Sequence, residues 1–173
     1  GSGGQVYKNN QTNWEPLGYN FEENPLEILP NDLSFLEYDV DFGFNKNLYD
    51  INGFDENNIY VCGTKNGDGF IAFFDGTSWI EIDRITPSAL SGICLCPDNK
   101  NVLISGDYGT LLKGNVIDGF ENLKDISINH AFYNSAYYKK NLYIASENGL
   151  YIYDDGKFCL VPELNDLKGV ISI

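Results

Sequence analysis

NGDGFIAFFDGTSWIEI, residues 66–82, reads as a turn, a strand, a second turn and a second strand. Asn-Gly and Asp-Gly accept turn dihedrals, and the apolar run between them has the length of a strand. Either this is a local hairpin or it is one copy of a recurring unit, and the choice decides the architecture.

The same order returns along the chain. Residues 107–124 read DYGTLLKGNVIDGFENLK, residues 147–162 read ENGLYIYDDGKFCLVP, and residues 4–17 read GQVYKNNQTNWEPL. In each, an aromatic opens the second strand: Trp14, Trp79, Phe120 and Phe158. Upstream of three copies lies a further match of two strands joined by a polar turn. LYDINGFDENNIYVCG spans 48–63, SGICLCPDNKNVLISG spans 91–106, and NSAYYKKNLYIAS spans 134–146. Ile59, Val102 and Leu142 open the second strand of each pair, at a repeat of about 40 residues.

A unit of roughly 40–50 residues with four short strands is the signature of a β-propeller blade. A hairpin alone cannot bury both of its faces, whereas blades stacked face to face can. That explains runs apolar on both sides, such as IYVCG, VLISG and LYIAS. The expected fold class is therefore all-β: a propeller with three full four-stranded blades at about 48–85, 90–127 and 133–165. Residues 4–20 read as a C–D pair lacking strands A and B, and LKGVISI at 167–173 reads as a lone A strand. Residues 1–3 read as a cloning scar, and 4–173 as one domain with an insert at 21–47. Closure has three solutions. The C-terminal strand joins the N-terminal pair in a composite blade, a second chain completes the ring, or the chain is a piece of a longer protein. An open strand edge invites further pairing, which favours completion by another chain.

The pattern resembles the bacterial propeller repeats whose blades carry G–apolar–DG–x–x–W, cousins of the WD40 and Kelch propellers. The resemblance covers nearly the whole chain outside 21–47. It implies the fold and is nearly silent on function. The Trp-Asp dipeptide of WD40 blades and the paired glycines of Kelch blades are absent.

Composition agrees with many strands and tight turns: 12 Tyr, 11 Phe and 18 Gly in 173 residues. No apolar run approaches ~18 residues, the length of a membrane-spanning helix. Net charge is -14, which opposes nucleic-acid backbones and anionic membranes and favours a basic protein partner. Three of the four cysteines, Cys62, Cys94 and Cys96, sit in strand-like apolar runs as buried thiols. With Cys159 they fit a reducing, cytoplasmic compartment.

The insert is the least generic stretch. It carries Glu22, Glu23, Glu27, Asp32, Glu37, Asp39 and Asp41 with no Lys or Arg between them. Its end alternates, with Leu36, Tyr38, Val40 and Phe42 on one side and the acids on the other, as in a half-buried strand. Strand direction alternates within a blade, so D–A connections and B–C turns lie at the same end of a propeller. The B–C turns add Asp68, Asp107 and Glu147 to that end. One rim is therefore expected to be acidic and to serve as the partner-binding surface.

Catalytic chemistry has little to draw on. His130 is the only histidine and Arg84 the only arginine, and a structural role for His130 is the preferred reading. Cys94 and Cys96 at i and i+2 share one side of a strand, but no second ligand pair makes a zinc site, and core packing is preferred. The Asp- and Asn-rich turns do not match a calcium loop, and no nucleotide-binding, hydrolase or metalloprotease motif occurs. No cofactor is expected. The reading is a non-catalytic, protein-binding propeller, in its sharper form an acidic inhibitor or immunity protein covering a basic enzyme or toxin. Two alternatives stay open: a ligand- or carbohydrate-binding propeller using aromatics such as Tyr137 and Tyr138, and a fragment of a larger propeller enzyme.

Overall fold

Alternation along the second strand of each repeat dictates the architecture. Tyr60, Val61 and Cys62 are all buried although they point alternately to opposite faces, and so are Val102, Leu103 and Ile104. A strand apolar on both faces must lie between two layers. A computed structural model of the chain, describing residues 6–17, 46–123, 125 and 127–162, shows how that is met.

Three antiparallel meanders of four strands each follow one another. The first holds β3 (Lys46–Asp55), β4 (Asn58–Lys65), β5 (Asp68–Phe74) and β6 (Trp79–Ile82). The second holds β7 (Leu90–Leu95), β8 (Val102–Gly106), β9 (Thr110–Asn115) and β10 (Gly119–Asn122). The third holds β11 (Phe132–Tyr138), β12 (Asn141–Ser146), β13 (Gly149–Asp154) and β14 (Lys157–Leu160). Ahead of them, β1 (Tyr7–Asn9) and β2 (Trp14–Pro16) form a separate hairpin. These are three propeller blades preceded by a C–D pair, as the repeat predicts. The opening stretch is the C–D half of blade one. Blade one starts at Lys46, two residues before the repeat alignment begins, because Lys46 and Asn47 already pair with Lys65 and Thr64. The strand expected at 167–173 lies outside the described residues.

The blades stack in chain order through two continuous apolar cores. Tyr60, Cys62 and Ile71 of blade one meet Val102, Ile104 and Leu112 of blade two. Leu103, Leu111 and Cys94 on the opposite face of blade two meet Leu142, Ile144 and Phe132 of blade three. The hairpin occupies the corresponding place before blade one, where Val6 and Leu17 pack on Val61, Phe70, Ala72 and Trp79. The aromatic that opens each D strand faces the preceding layer. The Trp79 indole donates to Leu17 O of the hairpin segment at 2.8 Å. Phe120 lies edge-on to Tyr60 of blade one at 6.5 Å, and Phe158 joins the core shared with blade two.

Two features fasten the innermost strands. Each A strand carries a β-bulge at the equivalent place, after Leu48, Leu90 and Phe132. A bulge re-aims the side chains beside it. In blade one Asp50 accepts a hydrogen bond from the Ile93 amide at 2.7 Å, and the Asn52 amide donates to Ile93 O at 3.1 Å. In blade two the Ser91 hydroxyl donates to Phe132 O of blade three at 2.8 Å. Side chains thus satisfy strand-A backbone groups of the next blade, which lie beyond the reach of a ladder. The bulges also demand close backbone approach. A Cβ on Gly63 would stand 1.8 Å from Asn47 O, and one on Gly106 would stand 2.3 Å from Ala89 O.

A hydrogen bond from a buried amide to a carboxylate contributes about 1.5–3 kcal/mol. Asp50→Ala should therefore lower the unfolding free energy by about 2 kcal/mol in urea denaturation, while Asp50→Asn, which keeps an acceptor, should recover more than half of that loss.

Candidate functional site

The end of the stack that bears the B–C turns is assembled by backbone bonds. Gly69 N–H donates to Thr86 O, Asp107 N–H to Ala89 O, Gly109 N–H to His130 O and Glu147 N–H to Ala131 O. Every acceptor belongs to a D–A connector. Turns and connectors therefore share one rim, and Asp68, Asp107 and Glu147 occupy successive B–C turns on it. Stacked sheets stand about 10 Å apart, so the three form a row rather than a converging cluster. Among the described residues no group of three or more His, Cys, Asp or Glu side chains comes together to hold a metal ion. Glu22, Glu23, Glu27, Asp32, Glu37, Asp39 and Asp41 lie outside the described residues.

The three carboxylates differ in their surroundings. Asp68 is paired with Arg84 at 3.0 Å, so the one arginine offsets part of the negative charge at the blade-one corner. Beside that pair, Lys46 and Lys65 converge on Glu81 at 2.5 and 2.6 Å. Burial pushes the Glu81 carboxyl up, but the two lysine hydrogen bonds outweigh it and hold the group below its ordinary range. These residues border a recess of about 300 Å³, lined by Lys65, Asp68, Phe70, Glu81 and Arg84 among others. Its Asp68, Glu81 and Asp83 are offset by Lys65 and Arg84 of the lining together with the adjoining Lys46. Asp107 is half-buried and Glu147 exposed, and neither has an ion-pair partner among the described residues. Net negative charge on the described rim is therefore concentrated on blades two and three.

Sequence reasoning missed the residue between Asp107 and Gly109. Tyr108 is 62% exposed and has φ of 54°. The equivalent place in blade one holds Asn66, with φ of 55°. Asn tolerates the left-handed region, whereas a bulky residue there carries strain. The signal was present in the sequence: an aromatic stands in DYGT where the equivalent turn NGDG places Asn.

His130 lies on this rim in a structural setting. Its ring stacks on Tyr151 at 5.4 Å and meets Phe132 edge-on at 5.8 Å. The Asn148 amide reaches Nδ1 at 3.0 Å, while Nε2 is buried without a partner among the described residues. With Asn148 donating, the neutral ring carries its proton on Nε2. Cys94 and Cys96 are buried free thiols between blades two and three. Burial pushes the Cys96 thiol up to about 11, far from the thiolate that reactivity needs. Tyr137 sits in that core, its hydroxyl donating to Cys96 Sγ at 3.9 Å, whereas Tyr138 is 63% exposed.

No family model matches the sequence, and no curated protein matches it. Among solved structures the chain is similar to the WD40 β-propeller domain of Doa1, at 12% identity and a TM-score of 0.48. The match covers 67% of this chain and spans 40% of that one. The assignment of propeller blades stands on the ladders and inter-blade cores described above.

Burial lowers the His130 pKa, and the nearby Glu147 charge opposes the effect without cancelling it. The unfolded chain then takes up this proton before the folded one. The neutral ring's contribution to stability is complete above the unfolded value of about 6.5 and is lost as pH falls through the lower folded value. Asp75, Asp98 and Asp125 are held below the ordinary carboxylate value of 3.8 by turn amides and titrate in a lower window. Thermal midpoints should therefore fall as pH drops below about 6.5, and His130→Phe should flatten that slope.

Proposed function

We propose that this chain is a non-catalytic docking module whose B–C rim binds a basic protein surface, in its sharpest form an inhibitor or immunity protein covering a basic enzyme or toxin. The observation that carries the reading is the rim itself. Three consecutive blades present their B–C turns at one end together with the two D–A connectors among the described residues; Asp107 stands beside the exposed, strained Tyr108 and Glu147 on the next turn, neither ion-paired among the described residues. Strain kept at an exposed loop position suggests a role outside stability. Tyrosine is also over-represented among residues that dominate binding energy at interfaces. The chain's net charge of -14 adds long-range attraction for a positively charged partner.

In this reading Tyr108 is the anchor, Asp107 and Glu147 steer the encounter, and the insert at 21–47 extends the acidic surface. The Asp68–Arg84 pair shapes the blade-one corner and adds little net charge.

The test separates stability from recognition at one residue. Tyr108→Asn should raise unfolding free energy by about 1 kcal/mol, because Asn accepts the left-handed backbone. The same change should weaken partner binding at least about tenfold. Asp107→Lys with Glu147→Lys should slow association and weaken its dependence on ionic strength. Partners that are uniformly acidic or neutral, bound with an affinity indifferent to salt, would defeat the reading.

A further inference from the structure

The repeat defines what covers each blade face, and among the described residues two faces lack that cover. In blade one the outer pair Tyr60 and Phe73, with ring centroids 4.9 Å apart, receives Phe120 from the D strand of blade two. Tyr60 is 1% exposed as a result. In blade two the position equivalent to Tyr60 is Leu103, also 1% exposed, under the cover of blade three. Register identifies the next equivalents. Tyr60 pairs with Phe73, Leu103 with Lys113, and Tyr143 with Ile152. Tyr143 and Ile152 therefore form the outer face of blade three. Both remain half-buried, and the ring contact of Tyr143 is with Tyr138 of its own blade.

The opposite end of the stack carries the matching half. Trp14 opens β2 as Trp79, Phe120 and Phe158 open their D strands. Those three face the preceding layer, and Trp14 points the same way, on the hairpin face opposite Val6 and Leu17. No layer precedes the hairpin among the described residues, and Trp14 is 68% exposed. Among the described residues there is thus an aromatic without a seat and a seat without an aromatic, in the two roles that Phe120 and Tyr60 already play together.

We propose that a second copy of this chain joins these ends head to tail, with Trp14 of one copy seated on Tyr143 and Ile152 of the next. Complementarity selects a second copy over an unrelated partner, because one chain supplies both halves in equivalent positions of one repeat. Charge agrees. The hairpin face carries Tyr7, Asn9, Trp14 and Pro16, and the accessible part of the blade-three face carries Ala136, Tyr143 and Ile152. In a chain of net charge -14 both contact centres are uncharged, so repulsion between copies acts at long range and salt screens it. The contact is heterologous and needs a closing rotation. Two copies, each of three blades and a half-blade, reach the upper end of the roughly 4–8 blades with which propellers close.

Sedimentation velocity across a concentration series tests this directly. The wild-type chain should self-associate, and raised salt should strengthen that association. This is opposite in sign to the salt response expected of the acidic rim, so the two readings fail separately. Trp14→Ala and Tyr143→Glu should each raise the self-dissociation constant at least about thirtyfold. Trp14 is exposed, so its variant should keep the wild-type circular dichroism and thermal midpoint. Should Tyr143→Glu unfold the chain, Tyr138→Glu at the exposed edge of the same face takes its place. Mixing the two variants should restore one of the two contacts and with it association stronger than that of either variant alone, because the Trp14→Ala chain keeps an intact seat and the Tyr143→Glu chain an intact tryptophan. A monomer at every concentration and salt, association untouched by both variants, or a mixture that stays monomeric would each overturn the proposal.

Discussion

Burial on both faces of strand B is the constraint from which the rest follows. Val102, Leu103 and Ile104 point alternately to opposite sides, and each is at most 1% exposed. No isolated sheet can provide that. A blade of this chain acquires a complete core only between two neighbours, so stability is shared among layers as in other repeat architectures. The D-strand aromatics extend the logic outward by reaching back over the previous blade. Asp50 and Ser91 extend it inward by holding the next A strand through hydrogen bonds.

The element order was legible because strand B is the most regular part of the repeat. Ile59, Val102 and Leu142 open it without insertion or bulge, and apolar residues on both faces give a signal that survives without alignment. Strand A hid its organisation for a physical reason. Each A strand is bulged, so its alternation breaks one residue after Leu48, Leu90 and Phe132. A period-2 reading cannot pass through such a break. The inter-blade bonds from Asp50 and Ser91 depend on that re-aiming and were invisible for the same reason. Lys46 fell in the insert because the repeat match begins only at Leu48. Here Glu81 neutralises it at 6% exposure.

The rim was legible from topology and illegible in its electrostatics. Alternating strand direction sufficed to put Asp68, Asp107 and Glu147 at one end. That Arg84 returns from the end of strand D to meet Asp68 is a long-range pairing that no local spacing encodes. A carboxylate count therefore overstates the negative field at blade one, where Lys46, Lys65 and Arg84 offset Asp68, Glu81 and Asp83. Tyr108 went unnoticed because aromatics are abundant and most of them sit between blades. Its place in a turn, rather than its type, sets it apart.

The stack separates two kinds of surface by geometry. The connectors send Ile85 and Ile128 into the inter-blade cores, whereas Asp107, Tyr108 and Glu147 in the turns stay outside them. The two end faces belong to the stacking system itself and are chemically alike to faces buried elsewhere in the same chain. Covering them uses the interaction that already holds blade one to blade two, with no new chemistry. A partner at the rim approaches along the axis around which the blades are arranged, whereas a further layer approaches across the sheets. Occupation of one surface therefore leaves the other open. Under the two proposals salt should act on them in opposite directions, weakening attraction to the rim and relieving repulsion between the ends.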